Sequence, residues 1–262
     1  HPKTEVVRES HNVGEAMENL RRLAEERLGK TDLDSGLDYG TIAISKYRKS
    51  DGTNSWLVTI PGTDGKHDSP FGWPQNVELM SSDSKQRMEA DSARMVQEAM
   101  KQAGIKSNEP VALIGHSQGG IVAATIASDL KDDYDIEHVV TAGSPVANHP
   151  IPEKTWVTSV EMDDELVAAL DGAANPSSDH WLTVRGTASK SSSNQESTFA
   201  GTPVTDAPDN KEITHWLKYH QAAYQNATDM GSTAVNTHER HFDEIIDGDL
   251  QEVMYFEGRM SK

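Results

Sequence analysis

The sequence predicts an α/β fold in which a mostly parallel central sheet is flanked by helices. Short continuous apolar runs, such as residues 111–114, are typical of strands covered on both faces. These runs alternate along the chain with segments of helical periodicity, which favours parallel βαβ units. The composition shows no internal boundary, so the 262 residues are interpreted as a single domain, 1–262.

The N-terminal part predicts a helix followed by an antiparallel hairpin. Apolar residues recur at spacings of three and four between residues 13 and 28, with charged residues between them. Residues 41–47 and 55–60 are both β-prone, and Asp51-Gly52 lies between them. Asp-Gly between two such runs is a strong hairpin signal, so the sheet is expected to begin with an antiparallel hairpin at its N-terminal edge.

The remainder of the chain predicts alternating strands and helices, interrupted by one loop. Residues 189–210 are rich in Ser and Pro and are interpreted as a loop, with a partial lid as one reading of it. The tail at 235–254 looks helical only in part. Helices are expected over 85–103, 121–130 and 212–224, and strands over 111–114, 138–141, 156–160 and 181–184.

Ser117 is the predicted nucleophile, within Gly115-His116-Ser117-Gln118-Gly119. This motif follows an apolar strand and precedes a helix of small residues, the context in which Gly-x-Ser-x-Gly forms a nucleophile elbow. The tight turn strains the serine backbone, so that its hydroxyl projects above the sheet. The flanking glycines avoid collisions with the neighbouring strand and helix. His116 is expected to line the substrate site rather than to act as the base.

Acyl transfer also requires N–H donors for the oxyanion of the tetrahedral intermediate. Gln118, directly after the nucleophile, is expected to supply one backbone N–H. Thr63 is expected to supply the other, because Pro61-Gly62-Thr63 follows the strand at 57–60; an ordinary Pro-Gly turn is the alternative. Phe71 and Trp73 are candidates for the acyl pocket, with a structural loop anchor as an equal alternative.

A histidine that follows Ser117 in the chain should act as the general base. His215 lies after the Ser/Pro-rich loop and at the start of a helical segment, where a histidine loop above the sheet is expected. His220 is the second candidate. His238 and His241 lie in the tail and are expected to be exposed, and their spacing is not that of a zinc-binding helix.

The carboxylate that orients the histidine should follow the strand at 156–160. Asp163, Asp164 and Glu165 all come directly after this strand. An acidic loop is unsurprising in a chain with a net charge of −18, so the pattern by itself leaves the three carboxylates open.

Composition excludes several other classes of protein. A net charge of −18 repels nucleic-acid backbones, so no nucleic-acid partner is expected. The absence of cysteine excludes disulfides and thiolate metal sites. The sequence contains no run of about 18 apolar residues, so no integral membrane segment is expected. The chain begins with His1, so its location is left open, and a secreted or cell-surface fragment is one option. The sequence also leaves the oligomeric state open.

At these motifs the chain resembles actinobacterial α/β-hydrolases related to the lipase class 3 and cutinase-like group. The resemblance covers roughly residues 40–225 and rests on residues 60–63, 111–120, 140–145 and 170–172. It implies an α/β-hydrolase fold and hydrolysis of carboxylic esters. In the acid loop the resemblance aligns Glu165 with the family's aspartate and Ala168 with a proline, and both are departures from the family pattern. Glu165 and Asp164 are therefore nearly equal candidates for the acid, ahead of Asp163.

The resulting prediction is a serine hydrolase that cleaves small-molecule or lipid esters through an acyl-enzyme, with no cofactor and no metal. Two alternatives remain open. The same residues could serve a thioesterase, peptidase or acyltransferase, because a fold does not determine the acyl substrate. A non-catalytic binding protein that retains the fold is the other alternative, and the irregular acid loop is its best support.

Overall fold

A computed structural model of the chain describes residues 6–27, 41–62, 82–162, 178–186, 188–190, 197–199, 202–204 and 217–257. The helices in these parts are α1 (Val13–Arg27), α2 (Ser82–Ala103), α3 (Gln118–Asp129), α4 (Leu217–Asp229) and α5 (Thr233–Ile245). The strands are β1 (Ile42–Arg48), β2 (Asn54–Ile60), β3 (Pro110–His116), β4 (Asp135–Ala142), β5 (Trp156–Met162), β6 (Trp181–Gly186), β7 (Ala188–Lys190), β8 (Ser197–Phe199), β9 (Thr202–Val204) and β10 (Asp249–Phe256).

Seven of these strands form the central sheet, in the order β10-β1-β2-β3-β4-β5-β6. Strands β2 to β6 run parallel, whereas β1 is antiparallel to both of its neighbours. The predicted mostly parallel sheet and its antiparallel hairpin are therefore confirmed. The turn between β1 and β2 contains Gly52 with φ of 85°, a conformation that glycine adopts without steric cost.

The outer edge of the sheet is formed by the C-terminal strand β10. It pairs antiparallel with β1 and shifts register between Lys46 and Tyr47. The prediction of a partly helical tail was thus incomplete, since α5 is followed by a strand. Most β10 residues are only half-buried or exposed, as expected of an edge strand, so its apolar pattern is weak.

Helices cover both faces of the sheet, and alternate residues of β3 contact the helices on opposite faces. Ala112 and Ile114 pack into the cluster formed with α1, α4 and α5, while Val111 and Leu113 pack against α2 and α3. This alternation follows from the period of two in a strand. Because both faces are buried, the parallel strands consist of nearly continuous apolar residues.

Three short strands interrupt the segment that was interpreted as a loop. Strands β7, β8 and β9, each three residues long, form a separate antiparallel sheet. The prediction of a loop over the whole of 189–210 was therefore wrong in part. Strands this short are below the length at which alternation of apolar residues can be read from a sequence.

Within the described residues, none of the helices has the length and apolar character that crossing a membrane requires.

Candidate active site

Ser117 lies at the corner between the end of β3 and the start of α3. Its backbone has φ of 57° and ψ of −123°. Among the residues that the structure describes, it is the one non-glycine residue with positive φ. Such a conformation costs on the order of 1–3 kcal/mol and persists only where the surroundings enforce it. Strand, strained serine and helix follow one another here as in a nucleophile elbow.

Glycines on both sides of Ser117 allow this corner to close. A Cβ atom at Gly115 would collide with the backbone of Gly119, and one at Gly119 would collide with carbonyl oxygens at the end of β2. A Cβ at Gly120 would run into the side chain of Ser144. Backbone atoms cannot move aside as a flexible side chain can, so the first turn of α3 depends on glycine.

The end of β4 holds the elbow through two hydrogen bonds. The Ser117 N–H donates to the carbonyl oxygen of Ala142 at 2.8 Å. The Ser144 hydroxyl donates to the carbonyl oxygen of Ser117, also at 2.8 Å. Both partners are buried, which strengthens these bonds relative to exposed ones.

Gly62, two residues after the end of β2, lies beside the elbow. A Cβ added to Gly62 would lie 3.2 Å from Ser117 Cβ and 2.8 Å from His116 Nδ1. Gln118 is the first residue of α3, and the first N–H groups of a helix have no partner within it. The elbow therefore combines a helix N-terminus with a close glycine loop. Thr63, the other predicted donor, lies outside the described residues.

Ser117 is only 2 % exposed, and Gln118 is fully buried. The predicted projection of the hydroxyl above the sheet does not leave it open to solvent. The Gln118 side chain also has no hydrogen-bond partner for either amide atom, from any group of the described chain, although such buried groups are usually paired.

The histidine predicted as base, His215, lies outside the described residues, two positions before α4 begins at Leu217. The second candidate, His220, lies on α4 and is fully buried. Its ring is edge-on to that of His116, with 5.7 Å between centroids. The start of α4 therefore lies against the elbow, and His116 contacts this helix.

The predicted acids Asp163, Asp164 and Glu165 also lie outside the described residues, directly after β5 ends at Met162. Near the end of β5, Ser159 Oγ donates to Glu161 at 3.3 Å. Along the chain, the elbow is followed by the end of β5 and then by α4.

Phe71 and Trp73, the residues predicted for the acyl pocket, also lie outside the described residues. Of the predicted site residues, the structure places Ser117, Gln118 and His116 side by side at the elbow.

A second group of histidines, which the sequence did not predict, lies between β4 and α5. His138 on β4 is fully buried, and His238 on α5 is 3 % exposed. His241 stacks on Trp156, with ring centroids 4.2 Å apart and planes within 8°. The expectation that His238 and His241 are exposed was therefore wrong. We call His138, His238 and His241 the histidine cluster.

Burial sets the electrostatics of the histidine cluster. It lowers the pKa of His138 well below the usual value for histidine, and the neighbouring His241 and His238 lower it further. Burial also lowers the pKa of His238 and of His241. The described residues contain no group of three or more His, Cys, Asp or Glu side chains that could hold a metal ion.

Comparison with known protein families supports the hydrolase architecture. Residues 76–199, a region that includes the elbow, match the family described as PGAP1-like alpha/beta domain, which is of the α/β-hydrolase type. No curated protein matches the chain. The mostly parallel seven-stranded sheet with flanking helices is consistent with the α/β-hydrolase fold, and the family match supports a function of the hydrolase type.

Proposed function

We propose that the chain is a serine hydrolase that cleaves carboxylic esters through an acyl-enzyme on Ser117. The observation that carries this proposal is the strained backbone of Ser117, at a strand-to-helix corner and beside Gly62. Strain of this kind has a cost, and it is found where a side chain must be presented in one orientation. A structural turn could use glycine here without that cost.

In the proposed mechanism, His215 removes the proton of the Ser117 hydroxyl as its oxygen attacks the ester carbonyl. The N–H groups of Gln118 and Thr63 stabilise the oxyanion of the tetrahedral intermediate. His215 then donates its proton to the leaving alcohol. Water, activated by the same imidazole, attacks the acyl-enzyme and releases the carboxylic acid.

A carboxylate keeps the imidazole oriented and stabilises its protonated form during this cycle. Glu165 and Asp164 are the candidates, because both follow β5 within three residues. Comparison of Glu165→Gln with Asp164→Asn assigns the role. The variant that lacks the acting carboxylate should lose orders of magnitude in kcat, and the other variant should stay close to wild type. Full activity in both variants would exclude Glu165 and Asp164 and leave Asp163 as the remaining candidate in this loop.

The substrate class is tested with a panel of p-nitrophenyl esters, acyl-CoA thioesters and short peptides. We expect turnover of the esters by wild type and none by Ser117→Ala. Ser128→Ala is a suitable control, since it removes a buried hydroxyl from the same helix, one that donates to Ala124 O. Activity confined to thioesters or peptides would reject the ester assignment, and activity that survives in Ser117→Ala would reject the nucleophile.

A further inference from the structure

Ser144 contacts the peptide group that carries the Gln118 N–H, one of the two proposed oxyanion donors. Its hydroxyl donates to the carbonyl oxygen of Ser117 at 2.8 Å and lies 3.2 Å from the carbonyl oxygen of Ala142. The side chain is 1 % exposed. In the sequence, Ser144 has no role beyond its place in a family-like motif, so its contact with the elbow is a finding of the structure.

The position of Ser144 follows from the turn after β4. Gly143 has φ of 63°, in the region that favours glycine, and its N–H donates to Val160 O on β5 at 3.0 Å. This turn brings the next residue under the first turn of α3. A Cβ at Gly120 would overlap the Ser144 side chain, so serine and helix are in direct contact. The site accepts a hydroxyl with little room to spare.

The Ser117 carbonyl and the Gln118 N–H are opposite ends of one planar peptide group. No cis peptide bond occurs among the described residues, so the two ends point in opposite directions. A donor that holds the oxygen therefore also sets the direction of the N–H. Hydrogen bonding at the carbonyl further polarises the group and makes its N–H a stronger donor.

Two helical N–H groups share this carbonyl with Ser144. Gly120 donates at 3.0 Å and Ile121 at 3.3 Å. Both belong to α3 and would move with it, whereas Ser144 follows β4 and ties the peptide to the sheet. The bond from Ser144 is also the shortest of the three.

We propose that Ser144 is a positioning residue of the oxyanion hole, which acts through the peptide group between Ser117 and Gln118. This inference rests on the proposed function, since it assumes that the Gln118 N–H stabilises an oxyanion. Ser144 does not contact the substrate in this role. Its loss should therefore weaken transition-state stabilisation and leave ground-state binding unchanged.

The test compares Ser144→Ala with wild type and with Ser128→Ala. The control removes a hydroxyl that also donates to a buried carbonyl at 2.8 Å, but at the far end of α3. We expect Ser144→Ala to lower kcat for a p-nitrophenyl ester about tenfold, the scale of one hydrogen bond, with KM unchanged. The rate of inactivation by a fluorophosphonate should fall in parallel, because its phosphoryl oxygen would occupy the same hole.

A spectroscopic measurement separates orientation from general loosening. The ¹⁵N resonance of Gln118 reports on hydrogen bonding at the preceding carbonyl, so it should shift in Ser144→Ala and not in Ser128→Ala. Unchanged kcat in Ser144→Ala, or a loss that appears in KM rather than kcat, would overturn the inference while wild-type turnover upholds the proposed function. A wild-type protein that is inert to both ester and fluorophosphonate would overturn the proposed function, and the role of Ser144 with it.

Discussion

His138 Nδ1 lies 3.0 Å from His241 Nδ1, in a contact that joins β4 to α5. At this distance one nitrogen must donate its N–H and the other must accept it, so the two rings cannot both be doubly protonated. The other nitrogen of His138 is 2.8 Å from Thr158 Oγ1 on β5, and His238 Nδ1 lies 3.4 Å from the same hydroxyl. The Nδ1–Nδ1 contact therefore excludes simultaneous double protonation of His138 and His241.

Acidification should destabilise the fold through the histidine cluster. Its pKa values are lowered in the folded state, so its stability contribution is fully present above pH 6.5 and decreases as the pH falls through that value. A histidine that stays neutral in the folded protein but is protonated in the unfolded chain reduces the free energy of unfolding as the pH falls. His180 and Glu137 also face the cluster, and Glu137 lies 3.9 Å from His241 Nε2.

The measurement is the melting temperature between pH 8 and pH 5. His138→Gln should flatten the decrease below pH 6.5, because one of the depressed groups is gone. His11→Gln is the control, since the His11 side chain is 59 % exposed and lies outside the histidine cluster. Equal slopes for wild type and His138→Gln would contradict this interpretation.

Asp243→Asn should stabilise the protein at pH 8. Burial raises the pKa of Asp243 to about 7, and the neighbouring Glu239 adds to the shift. Glu239 Oε2 and Asp243 Oδ1 are buried without an N–H or O–H donor from the described residues, so they can be satisfied by sharing a proton. Above pH 7 that proton is lost and two carboxylates repel.

Asp243 changes the stability with pH in the opposite direction to the histidines. A carboxyl with a raised folded-state pKa loses stability as the pH rises from its unfolded value near 3.8 to about 7. Because the group is about half-buried, the gain from Asn at pH 8 should be on the order of 1 kcal/mol after solvent screening. Urea unfolding at pH 8 and pH 5 measures it, and a variant less stable than wild type at pH 8 would argue against the shared proton.

Gly119→Ala should be far more damaging than Gly52→Ala. An added Cβ at Gly119 collides with backbone carbonyls at the end of β2, which cannot yield without moving the sheet. Gly52 has positive φ but open space around it. We expect a loss of about 3 kcal/mol or more in the first variant and about 1 kcal/mol in the second, by urea unfolding. Equal losses would mean that the elbow is not closely packed.

His215→Ala should abolish ester turnover, whereas His220→Ala should reduce it only through packing. His220 is fully buried against His116, so its loss leaves a cavity beside the elbow and lowers the melting temperature. The pH profile of kcat/KM for His220→Ala should keep the acidic limb of the wild-type profile, because the proposed base is still present. If His220→Ala is the inactive variant and His215→Ala keeps its turnover, the assignment of the base is reversed.

The sheet could be predicted from the sequence because its strands are buried on both faces, and short continuous apolar runs such as that before Gly115 are typical of such strands. The elbow could be predicted because its glycines have a steric reason, which the contacts of Gly119 and Gly120 illustrate. The strand β10 and the short strands β7 to β9 were missed because exposed or very short strands carry little periodicity.

The histidine cluster shows a different limit. His138 comes from β4, while His238 and His241 come from α5, about a hundred residues later in the chain. Polar residues at these positions gave no sign of burial, since only tertiary packing brings them to Trp156 and Thr158. The role proposed for Ser144 was out of reach for the same reason: it depends on a contact between the end of β4 and the start of α3.

The central claim is that the Ser117 hydroxyl is an activated nucleophile. Mass spectrometry of peptides after treatment with a fluorophosphonate tests it most directly. We predict a single adduct on Ser117 in the folded wild-type protein, none after heat denaturation, and none in Ser117→Ala. A folded wild-type protein that stays unmodified, or that carries the adduct on another residue, would contradict it.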